Sequence, residues 1–135
     1  MSDSTPPVAP GLEQHKLADL KAPPSFWNSS PEARALRCNG AGAKGGIAVP
    51  NTFWGLSCLE AFDIHDWMYA EGGSNEPARQ TADIYMLVNC QLLIERRTTG
   101  TWLLGKFMRW LRGVRANTYY NAVRDFGASA FSFNT

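Results

Sequence analysis

Cysteine is scarce and unpaired in this sequence. Cys38, Cys58 and Cys90 make an odd count with no Cys-x-x-Cys spacing, which argues against both a disulfide framework and a structural zinc site, so they read as small buried hydrophobes. Histidine is scarcer still, with only His15 and His65, too few to ligate the metals of a His-Asp phosphohydrolase. No window approaches the roughly 18 consecutive apolar residues that a membrane span requires. The opening Met1-Ser2-Asp3-Ser4-Thr5-Pro6-Pro7 lacks the basic and apolar regions of a signal peptide, so the chain is expected to be cytoplasmic as synthesised. Acidic residues all but vanish toward the C-terminus: residues 1–95 hold 6 Lys and Arg against 11 Asp and Glu, and residues 96–135 hold 7 against 1.

What is present suits one compact domain. The 135 residues are enough for one core and too few for two. Aromatic residues make up 12%, five of them tryptophan, so an aromatic core or an exposed aromatic surface is expected. Residues 1–29, with Pro6, Pro7, Pro10, Pro23 and Pro24, read as a proline-rich arm, and residues 30–135 as a mainly α domain. Ser30 caps a short helix that has Pro31 in its first turn and gives way to the glycine-rich stretch Cys38 to Gly46.

Three further helices are predicted. Ser57 and Glu60 have the spacing of a capping box and start a helix that Gly72 and Gly73 end. On it Cys58, Phe62, His65 and Tyr69 share one inward stripe, while Asp66 is turned toward the flank. The next helix opens at Pro77 and runs to about Glu95, with Asp83 among Met86, Leu87, Cys90 and Ile94; a buried aspartate there must have a partner. Two such helices joined by a short turn run antiparallel, so residues whose numbers sum to about 148 lie opposite one another. His65 and Asp83 satisfy that rule. A carboxylate behind a histidine holds one tautomer and makes the ring a better base, able to take a proton from water. The last helix, about Thr101 to Asp125, carries Lys106, Arg109, Arg112 and Arg115 three apart, read as one basic face beside Trp102, Phe107, Trp110 and Leu111.

Gly40-Ala41-Gly42, Pro50, His65-Asp66-Trp67-Met68-Tyr69 and the second-helix Asp83 together resemble the phospholipase A2 superfamily, with its glycine-rich calcium loop and His-Asp-x-x-Tyr helix. The short step from histidine to aspartate is similar to the phospholipase domain of parvovirus capsid proteins. The segment Cys38 to Phe131, including Tyr119 to Gly127, also resembles small uncharacterised phage and prophage proteins. The first resemblance implies calcium-dependent hydrolysis of the phospholipid sn-2 ester, with His65 as general base, Asp83 orienting it and Tyr69 bonded to that aspartate. It implies Ca2+ held by the Asp66 carboxylate and the backbone carbonyls of Cys38, Gly40 and Gly42. Ala61 and Phe62 stand where secreted members have cysteines, so packing alone would hold the helix pair, and Ala41 and Lys44 depart from the loop pattern.

The expected partner is a phospholipid surface, met peripherally through Lys106, Arg109, Arg112 and Arg115. The alternative is a phage assembly protein, incorporated in or delivered by the particle, that binds protein or DNA through its arm and basic helix. In that case His65, Tyr69 and Asp83 form a buried structural cluster. Nucleic-acid binding alone would show an affinity that falls steeply with salt.

Overall fold

The computed structural model describes residues 19–38, 52–100 and 102–132. The fold is mainly α, as the periodicity predicts. Two short helices, α1 (Pro24–Trp27) and α2 (Pro31–Arg37), precede a two-stranded antiparallel hairpin of β1 (Thr52–Phe53) and β2 (Leu56–Ser57). Three longer helices follow: α3 (Leu59–Glu71), α4 (Glu76–Arg97) and α5 (Trp102–Phe126), with a 3-10 turn at Gly127–Ala130. The α4 helix packs against both α3 and α5.

The helix starts follow side-chain chemistry. The Ser30 hydroxyl accepts from the Ala33 N–H at 3.1 Å, and Asn75 caps α4 by accepting from the Ala78 N–H at 3.2 Å. The expected capping box does not form. Cys58 occupies the cap position of α3, the Ser57 hydroxyl accepts from the Leu59 N–H at 3.3 Å, and Glu60 makes a two-pronged ion pair with Arg97 at 2.9 and 2.7 Å. An arginine fork on the neighbouring helix is a stronger partner for this carboxylate than a backbone N–H.

The core gathers Phe53, Phe62, Met86, Cys90, Leu93, Ile94 and Tyr119, with Phe53 stacked edge-on against Tyr119 at 4.8 Å. The hairpin delivers Phe53 to this cluster. Its turn residues Trp54 and Gly55 have φ of 49° and 80°, the signs of a type I′ turn. Part of the segment expected to be an arm is docked: Leu20 and Phe26 are buried, and Lys21 exchanges backbone hydrogen bonds with the Asn89 amide at 2.7 and 2.8 Å. Residues 1–18 of that arm lie outside the described residues, as do Gly40, Ala41, Gly42 and Lys44 of the glycine-rich loop.

The α3 helix ends at Gly72, whose φ of +73° breaks the helix. The chain beyond the 3-10 turn returns to this end: Ser132 donates its N–H to the Tyr69 carbonyl at 3.0 Å and accepts from the Gly73 N–H at 3.1 Å. A Cβ on Gly72 would lie 1.8 Å from the Ser132 carbonyl oxygen.

Candidate functional site

The antiparallel register of α3 and α4 builds the site. It sets Cys58 and Cys90 together in the core, His65 against Asp83, and Tyr69 against Arg79. His65 Nε2 lies 2.8 Å from Asp83 Oδ1, and the Tyr69 hydroxyl donates to the same oxygen at 2.6 Å. The imidazole and phenol rings stand 4.1 Å apart between centroids. His65 is 7% exposed and Asp83 0%, so the pair is screened from bulk water. Because an ionised carboxylate only accepts, Nε2 carries the proton and the Nδ1 lone pair is the ring's basic site.

The other oxygen of Asp83 is held by arginine. Arg124, on α5, donates from Nη1 to Oδ2 at 2.7 Å, and Arg79 Nη1 stands 3.6 Å from it. Arg79 also donates to the carbonyls of Val123 and Arg124 at 2.9 and 3.1 Å, which ties the end of α5 to the start of α4. Glu76 bonds both arginines, and these bonds draw its carboxyl down to about 2. Burial opposes the charge on Asp83, but hydrogen bonds from His65 and Tyr69, the attraction of His65 and the bond from Arg124 outweigh it and hold the carboxyl below its ordinary value. For Tyr69, burial and then the bond to Asp83 push the phenol up and keep it protonated.

Neither arginine was singled out from the sequence as part of the site. Arg79 was within reach of the register rule, since it pairs with Tyr69 as His65 does with Asp83 and sits one turn before Asp83. Arg124 comes from a third helix, and no local pattern announces that it reaches across.

Of the proposed calcium ligands, Asp66 and Cys38 are described and Gly40 and Gly42 are not. Asp66 is half-buried on α3. The Cys38 thiol donates to the Asp63 carbonyl at 3.2 Å and is pushed up to about 12 by burial, then by the nearby carboxylates of Asp63 and Asp66. Asp63 and Asp66 thus lie near the residue that opens the glycine-rich loop, as do the opposing cations Arg34 and Arg37. A carboxylate with backbone carbonyls is a donor set that suits calcium. Among the described residues no group of three or more His, Cys, Asp and Glu side chains is placed to hold a metal. A separate cavity of about 130 Å³, lined by Leu20, Phe26, Trp27, Cys38 and Asp63 among others, lies beside α1 and α2 and takes no lining from His65 or Asp83.

The basic face of the last helix needs correction. Steps of three residues fall short of a full turn, so four such residues spread over roughly half the helix circumference. Arg112 turns inward, donating to the carbonyls of Phe53 and Trp54 at 3.0 and 2.7 Å and to the Thr98 hydroxyl at 3.1 Å. Arg109 donates to the Thr98 carbonyl at 3.0 Å. Only Lys106 and Arg115 of the four are exposed, and Arg115 lies over the Trp54 ring at 5.9 Å. No helix among the described residues is long and apolar enough to cross a membrane.

Compared with known protein families, curated proteins and solved structures, the chain finds no match in any of the three.

Proposed function

We propose that the chain is a phospholipase A2-like hydrolase of the phospholipid sn-2 ester, in which His65 acts as general base. The observation that carries this reading is the 2.8 Å contact of His65 Nε2 with Asp83, which fixes the tautomer and leaves Nδ1 to accept a proton from an attacking water. Asp83 orients the ring and stabilises the imidazolium that forms, and Tyr69, beside the imidazole, donates to the same Asp83 oxygen. Arg124 and Arg79 draw on the second oxygen, which steadies the carboxylate and moderates its pull on the imidazole proton. Asp66 and the carbonyls of Cys38, Gly40 and Gly42 are the residues that would hold calcium; when bound, calcium supplies positive charge to the oxyanion of the reacting carbonyl.

One observation favours a second reading, a non-enzymatic phage assembly protein. Asp83 is bonded from α3 and α5 at once, so the same cluster can serve as a latch between three helices. Fatty-acid release from phospholipid vesicles separates the two. The hydrolase releases fatty acid with calcium, less with chelator, and much less after Asp66→Asn. A folded chain that releases none under any condition rules against the hydrolase and leaves the structural or binding reading.

A further inference from the structure

The α5 helix turns its apolar face outward. Trp102, Leu103, Leu104, Phe107, Trp110 and Val114 are 74%, 67%, 62%, 53%, 63% and 45% exposed, whereas Gly105, Ala116 and Tyr119 on the same helix are buried. At 3.6 residues per turn, Leu103, Phe107, Trp110 and Val114 fall within an arc of roughly 60°, about half a turn from the buried side. Phe107 and Trp110 lie beside each other, with ring centroids 6.2 Å apart. A continuous exposed stripe of this kind marks an interaction surface. Arg109 and Arg112 are turned inward, so the stripe is not the edge of the core but a separate face.

The charge of the helix identifies what that face meets. Between Trp102 and Arg124 it carries no Asp or Glu, and with Arg109, Arg112 and Arg124 bonded inward the cations left at the surface are Lys106 and Arg115. Exposed Lys106 and Arg115 flank the stripe on either side. Two copies of such a face would set cation against cation, whereas an anionic lipid surface offers acyl chains to the stripe and head-group charge to its borders. Tryptophan, with an apolar ring and one N–H donor, suits the depth where head groups meet acyl chains.

We infer that α5 is an interfacial helix that lays Leu103, Phe107, Trp110 and Val114 into an anionic phospholipid surface, with Lys106 and Arg115 on its head groups. The inference deepens the phospholipase reading and rests on it for the purpose of the contact. Its test is kept apart from catalysis.

The full chain carrying His65→Gln is mixed, in chelator, with vesicles of phosphatidylcholine alone or with phosphatidylglycerol added; co-sedimentation and tryptophan emission are followed. The expected result is partition onto the anionic vesicles with emission shifted to the blue. Phe107→Ser with Trp110→Ser, both exposed positions, should weaken partition by at least about tenfold while circular dichroism stays unchanged. Three results would overturn the inference. They are no partition at all, partition that the two substitutions leave intact because it is electrostatic only, or a dimer in solution that the same substitutions dissolve. Vesicle binding without fatty-acid release by the unmutated chain sinks the phospholipase reading alone. Release from a short-chain monomeric substrate without vesicle binding sinks this inference alone.

Discussion

Asp83 accepts on one oxygen from His65 and Tyr69 and on the other from Arg124, so each donor is worth only part of its placement. Tyr69→Phe keeps the ring against Phe131 and removes one donor. It should cost about 1–3 kcal/mol in chemical denaturation, with fatty-acid release falling less than after His65→Gln. The depressed carboxyl of Asp83 sets an acid limb. The unfolded chain takes up the proton first as pH falls, so the stabilisation is complete above roughly pH 5, declines below about 4 and is gone once the folded carboxyl is protonated. Asp83→Asn should therefore be less stable at neutral pH and flatter between pH 3 and 6 in urea unfolding than the parent; parallel curves would remove Asp83 from the linkage. At this scale the His65 and Asp83 pairing was legible, because helix period and loop length together fix which residues of an antiparallel pair can meet. The two arginines were not, since Arg124 depends on where a third helix lies.

Helices could be read more readily than their orientation. Periodicity and caps placed α3, α4 and α5 to within a few residues, yet Glu60 chose Arg97 over the capping box that its spacing suggests. Both of those side chains are about a third exposed, so the pair contributes at most about 1 kcal/mol. In α5 the sequence shows a basic run and an apolar run but not which faces inward. Arg112 settles it by satisfying the carbonyls of the β1–β2 turn, a hairpin the sequence reading did not place, although Gly55 after Trp54 was its available signal. The end of α3 offers a test at this level. Gly72→Ala combines a positive φ with a Cβ driven into the Ser132 carbonyl. It should lower stability by more than about 1 kcal/mol in thermal unfolding, and a neutral effect would contradict the return of the chain to Tyr69.

As a whole, the described chain is a three-helix body whose polar cluster lies where α3, α4 and α5 come together and whose apolar α5 stripe faces out. The mainly α architecture followed from composition and period. The docking of Leu20 and Phe26 did not, since a proline-rich segment gives no local sign of a tertiary partner such as Asn89. The cluster can be a catalytic base with its support or a latch between helices, and one measurement separates these most directly. Release of the sn-2 fatty acid from labelled phospholipid vesicles in calcium should be present for the unmutated chain and lost, by a factor on the order of 100 or more, for a folded His65→Gln variant. Equal release by both chains, or none from either with folding intact, would contradict the assignment of His65 as the base.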